Sequence, residues 1–116
     1  MPEQGDIVLI PVPFTDLSSH KRRPVVVVSN NSYNRTNPDV VVVAMTSRPT
    51  FGAFSFSIDS PDLVEGSLNH AGFIRADKIY TLAKSIIVKQ FGKVSPDIVA
   101  RIQGLLVELT KRESHS

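Results

Sequence analysis

The residues of this chain best suited to chemistry gather in one stretch, His20-Lys21-Arg22-Arg23, which runs directly into Pro24 and the valines at 25–28. Neighbouring cations repel one another unless an anion is expected among them. An arginine fork grips phosphate oxygens bidentately, with a geometric control that lysine lacks. His20 adds an imidazole, whose unperturbed pKa of about 6.5 suits proton transfer near neutrality. The stretch therefore predicts a phosphate site. Plainer roles stay open: Arg23 can hold a carboxylate at a strand end, and His20, Lys21 and Arg22 can be a solvated loop.

Positioning comes from the valine run itself. A bounded run of β-branched residues reads as a strand buried on both faces. Pro24 suits its start, where a missing N–H costs the ladder nothing, and it pushes Arg23 toward extended geometry. Ile7-Val8-Leu9-Ile10 reads as an earlier strand, ended by Pro11-Val12-Pro13, and Val40-Val41-Val42-Val43-Ala44-Met45 as a later one, closed by Thr46-Ser47-Arg48-Pro49. Residues 14–19 are a polar loop leading to the basic cluster, and residues 30–39 are a loop by their Asn, Ser and Pro content. Tyr33 and the asparagines around it can read or stack on bases, or form a plain surface loop.

Phe54, Phe56 and Ile58 alternate with Ser55, Ser57 and Asp59, the period of a strand with one wet face and its phenylalanines in the core. Residues 60–66 read as loop. Phe73-Ile74 begins a short strand running on to Lys78, Ile79-Tyr80-Thr81-Leu82 reads as another, and Ile86-Ile87-Val88 fits no single pattern. Ser95-Pro96-Asp97 is a helix start, with a serine cap, proline in the first turn and an early acid. Ile98, Val99, Ile102, Leu105, Leu106 and Leu109 then share one helical face, and Lys111 and Arg112 suit its C-terminal dipole.

Six or seven short strands without βαβ alternation, followed by one amphipathic helix, predict a mainly β fold: a small, partly closed antiparallel barrel with the helix packed on it. Strands apolar on both faces need two covers. The barrel interior is one, and the helix or a second subunit is the other, so a homodimer is expected. At 116 residues, 41% hydrophobic and 21% charged, the chain reads as a single domain, 1–116, with a core of its own. It has no cysteine, which removes disulfides and thiolate chemistry. No signal-peptide pattern or membrane-length apolar run is present, so a cytoplasmic location and no membrane partner are expected. The net charge of +2 is a weak signal for nucleic acid, and the cluster at 20–23 says more than the total.

Other chemistries lack their residues. His20, His70 and His115 have no metal-ligand spacing, no Gly-x-Ser-x-Gly elbow exists, and Gly92-Lys93 lacks the upstream glycine of a phosphate loop. No metal and no cofactor are expected.

Three blocks in order are similar to the PemK/MazF toxins of type II toxin–antitoxin modules: Gly5-Asp6-Ile7-Val8, residues 21–30 from Lys21 to Asn30, and Val43-Ala44-Met45-Thr46-Ser47. The similarity continues through Arg75-Ala76-Asp77-Lys78-Ile79-Tyr80-Thr81-Leu82 and Gly92-Lys93-Val94-Ser95 into the last helix. This resemblance implies an SH3-like barrel, a homodimer, and an endoribonuclease that cuts single-stranded RNA without metal. It also implies an antitoxin partner with a flexible segment along the RNA groove. Arg23 matches the arginine of the family's Arg-Pro motif and Thr46 its threonine after the third strand, the two residues that carry the family's catalysis. Asp77 matches a position beside the groove, although pairing with Arg75 or Lys78 explains it equally well. Where Gly72 stands the family often has serine.

The chemistry of RNA cleavage agrees with these residue types. Attack by the neighbouring 2′-OH builds negative charge on a phosphate, which Arg23 can grip and the Thr46 hydroxyl can bond. The general acid and base remain to be found, with His20 the candidate. Lys21, Arg22, Ser47, Asn30, Arg75 and Asp77 are the candidate RNA contacts. Two alternatives keep the barrel and change the function: a CcdB-like toxin that binds gyrase, and a non-catalytic RNA-binding barrel.

Overall fold

The valine runs become the centre of an antiparallel sheet. In the computed structural model, which describes residues 2–11 and 22–114, the elements are β1 (Asp6–Pro11), β2 (Arg22–Val27), α1 (Asn31–Thr36), β3 (Asp39–Thr46), β4 (Ser55–Ile58), β5 (Leu63–Glu65), β6 (Gly72–Ala83), β7 (Lys89–Val94) and α2 (Pro96–Thr110). The seven strands run in the order β4-β6-β3-β2-β1-β7-β5 and curl into a half-barrel. Every adjacent pair is antiparallel. The expected barrel with a C-terminal helix is the observed architecture.

Period-2 alternation along the central strands splits the core in two. Ile7, Val26, Val43, Met45, Ile74 and Ala76 face α2, which lays Ile98 and Ile102 onto them. On the opposite face Val8, Ile10, Val25, Val27, Val40 and Val42 form a second cluster, roofed by Leu82 and Ile87. The second cover for the doubly apolar strands thus comes in part from the far end of β6 and the turn after it. Ile79, Tyr80 and Val88 stay exposed nearby.

Helix α2 starts as its sequence signals require. Ser95 caps it by accepting the Ile98 N–H at 3.3 Å, and Pro96 stands in the first turn. Arg101 lies over the Phe56 ring, 4.0 Å from its centroid, which ties the helix to β4. Val99, Leu105 and Leu106 complete the apolar face, while Leu109 lies beyond it and is exposed.

Several local expectations differ from the structure. Residues 30–39 contain a one-and-a-half-turn helix, α1, in place of a continuous loop. Asn30 caps it by accepting the Tyr33 N–H at 2.8 Å. Asn34 is fully buried: its amide donates to the Ser29 carbonyl at 2.9 Å, and its Oδ1 accepts from the Ser29 hydroxyl. The Ser29 oxygen in turn accepts the Val41 N–H at 3.0 Å, and Lys84 Nζ donates to the Asn34 carbonyl at 2.7 Å. Poor helix formers are helical here because this polar knot, and not propensity, holds them. Residues 60–66 hold a 3-10 turn and β5, and residues 84–86 form another 3-10 turn that delivers Ile87 to the second cluster.

The strands expected at 73–78 and 79–82 are one strand, β6. Its pairing with β3 jumps from Val43↔Ile79 to Ala44↔Arg75, so Ala76, Asp77 and Lys78 are extra residues in a bulge. Ala76 anchors that bulge: it is fully buried, and its N–H bonds the Phe54 carbonyl at 2.9 Å.

Candidate functional site

Arg23 and Thr46 meet through strand register. β2 pairs with β3 only over Val25–Val27, with Val25 opposite Ala44. Two residues further along that register stand Arg23 and Thr46, on the face that carries Val25 and Ala44. There β2 keeps pairing with β1, Arg23 lying opposite Ile10, but has left β3's ladder. The gap opens a groove of about 460 Å³, lined by both Arg23 and Thr46. Pro24 borders it where β3 asks no hydrogen bond of β2, which is why a proline is tolerated near the centre of the sheet.

Four cations line the groove, Arg23, Arg48, Arg75 and Lys78, and no carboxylate does so among the described residues. Ile10, Val25, Leu82 and Ile86 supply apolar walls, and half-exposed Tyr80 offers a ring. Arg23 is exposed, and among the described residues it makes no ion pair and meets no strand-end carboxylate that would give it a structural role. Thr46 Oγ1 accepts the Arg48 N–H at 3.1 Å. With a lone pair occupied by that amide, the hydroxyl keeps its own hydrogen available to donate.

The other expected residues fall partly inside the groove and partly outside it. Arg75 lines the groove and pairs with Asp77 at 3.2 Å; Asp77 stands outside the lining. Arg22 is exposed opposite Pro11, and Ser47 is exposed between two groove residues, but neither lines the groove. Asn30 is committed to capping α1, away from it. His20 and Lys21 lie outside the described residues. A Cβ at Gly72 would come 2.6 Å from the Met45 methyl, the free end of a flexible side chain that can swing aside.

Arg48, Lys78, Thr50 and Tyr80 were not anticipated in the groove. Arg48 enters from the turn that follows Thr46, beyond the end of β3. Lys78 had no signal in the sequence, because its placement depends on the bulge. Among the described residues no group of His, Cys, Asp and Glu is arranged to hold a metal ion.

The PemK-like, MazF-like toxin family of type II toxin–antitoxin systems matches this chain over residues 3–110. The chain belongs to this family. Among solved structures, it is similar to a mycobacterial endoribonuclease in complex with its cognate antitoxin, at 28% identity and TM-score 0.66, with 97% of this chain and 99% of that one covered. MazF from Deinococcus radiodurans superposes with TM-score 0.72 at 24% identity, covering 96% of this chain and 97% of that one. The Mycobacterium tuberculosis toxin MazF-mt6 gives TM-score 0.73 at 17% identity, over 93% and 98% of the two chains, and shares the fold. No curated protein matches the chain in sequence.

Proposed function

We propose that this PemK/MazF-family chain is the toxin of a type II toxin–antitoxin pair and acts as an endoribonuclease on single-stranded RNA. The observation that carries this reading is the groove lined by Arg23, which has no ion pair among the described residues, by Thr46, whose hydroxyl accepts from Arg48, and by further cations. Its likeness to the mycobacterial endoribonuclease–antitoxin complex supports it.

That geometry suits one reaction. The 2′-oxygen attacks the adjacent phosphorus, its proton passing to a base; the P–O5′ bond breaks, and an acid returns a proton to the leaving 5′-oxygen. The Arg23 guanidinium holds the non-bridging oxygens as they gain charge, and the Thr46 hydroxyl donates to one of them. Among the described residues the groove lining is cationic and carries no carboxylate, which suits neutralising the phosphate charge with side chains. His20 is the candidate acid or base, and Lys21, Arg22, Ser47 and Arg75 position the strand.

The partner is an antitoxin whose acidic segment competes for the same cations, a docking that weakens as salt rises. The protein works as a homodimer in the cytoplasm, with the exposed Ile79, Tyr80 and Val88 contributing apolar area to the contact. Among the described residues, no helix is long and apolar enough to cross a membrane. A sedimentation run showing a monomer at micromolar concentration would remove the dimer.

Incubation of the purified protein with a long single-stranded RNA in EDTA tests the reading. Discrete fragments ending in 2′,3′-cyclic phosphate are expected. Intact RNA would instead favour a barrel that binds without cutting, such as a CcdB-like toxin.

A further inference from the structure

The bulge in β6 gives one groove cation an internal competitor. Arg75 sits opposite Ala44 on β3 and Ser55 on β4, so its stem rises on the same face as Thr46 and Arg23. Its guanidinium meets Asp77 through a single contact from Nη2 to Oδ2 at 3.2 Å. Residues two apart on a strand share a face at about 7 Å, a gap that an arginine side chain spans. Asp77 stands in the bulge of residues 76–78, which buried Ala76 pins.

The pairing is a poor one. It is not the two-bond fork that arginine makes with a well-placed carboxylate. Arg75 Nε is shielded from solvent and has no hydrogen-bond partner among the described residues. Both side chains are about one-third exposed, at 33% and 34%, so solvent and salt screen the attraction. A phosphodiester entering the groove offers two acceptor oxygens and finds Arg75 held by one contact only.

The geometry points to Asp77 as a latch that parks Arg75 in the free protein and yields it to an RNA phosphate on binding. Arg75 is then a positioning residue whose contact with the strand exists only after Asp77 is displaced. This deepens the proposed function and rests on it for the identity of the ligand, a phosphodiester of single-stranded nucleic acid.

The test is a double-mutant cycle, with binding of an all-2′-deoxy single-stranded oligonucleotide to the full chain measured for wild type, Asp77→Asn, Arg75→Ala and both together. Asp77→Asn is expected to tighten binding about two- to fivefold, the range of an exposed ion pair. Arg75→Ala should abolish that gain. An equal gain in both backgrounds would mean that Asp77 merely repels the probe, and no gain, or no binding by any of the four, would equally overturn the latch. On wild type the Arg75 Nε–H resonance should shift when the oligonucleotide saturates; an unmoved resonance overturns the proposal without any variant. Because the probe has no 2′-OH, failure to cleave RNA would sink the nuclease and leave this measurement intact.

Discussion

The Arg48 backbone N–H donates to Thr46 Oγ1 at 3.1 Å, and this one bond sets what Thr46 can do. A free hydroxyl both donates and accepts; one already accepting from an amide is biased toward donation. The amide comes from the turn that ends β3, so the orientation is built into the backbone.

Thr46→Val keeps the shape of the side chain and deletes that donor. It should lower the RNA cleavage rate by about one to three orders of magnitude, while affinity for a 2′-deoxy oligonucleotide stays within about twofold. Thr46→Ser, which retains both the hydroxyl and the Arg48 bond, should recover most of the rate. Single-turnover kinetics on a fixed RNA decides it; a valine variant that keeps the full rate while the serine variant loses it would show that the methyl group, and not the hydroxyl, matters.

Asn34 should be a stability residue with no catalytic effect. Asn34→Ala leaves the Ser29 hydroxyl and carbonyl without their buried partner, which costs about 1–3 kcal/mol. Urea unfolding should show that loss, and cleavage per folded molecule should be unchanged.

Lys93 links stability to alkaline pH. Burial alone would lower its pKa, but the hydrogen bond to Glu3 and the attraction of Asp6, Glu3 and Glu65 prevail and hold it above the ordinary lysine value. A raised pKa means the folded state holds this proton more tightly than the unfolded chain. Its stabilisation is therefore complete below the unfolded lysine pKa of about 10.4 and is lost as pH climbs through the higher folded value. Melting measured from about pH 8 to about pH 11.5 should fall at the alkaline end, and Lys93→Met should flatten that fall.

Much of this was legible in the sequence because it depends on local patterning. The valine runs, the Phe54–Ile58 alternation and the Ser95-Pro96-Asp97 cap each specify an element from neighbouring residues alone. What escaped depends on contacts across the fold. Arg75-Ala76-Asp77-Lys78 reads as the polar end of a strand, and only the burial of Ala76 against the core turns it into a bulge. Asn31–Thr36 is helical because Asn34 finds Ser29 and Lys84, residues that no propensity connects to it. Arg23 was placed by Pro24 and the strand behind it, whereas Lys78 entered the groove only through the bulge.

Arg23→Ala tests the account most directly, with thermal unfolding and RNA cleavage in EDTA measured on the same preparation. Arg23 is exposed and carries no ion pair among the described residues, so melting should stay within about 0.5 kcal/mol of wild type. Cleavage should fall by about two to three orders of magnitude or more, as loss of one preorganised phosphate donor requires. A variant that unfolds, yet whose folded fraction cuts RNA at the full rate, would contradict the catalytic role and return Arg23 to a structural one.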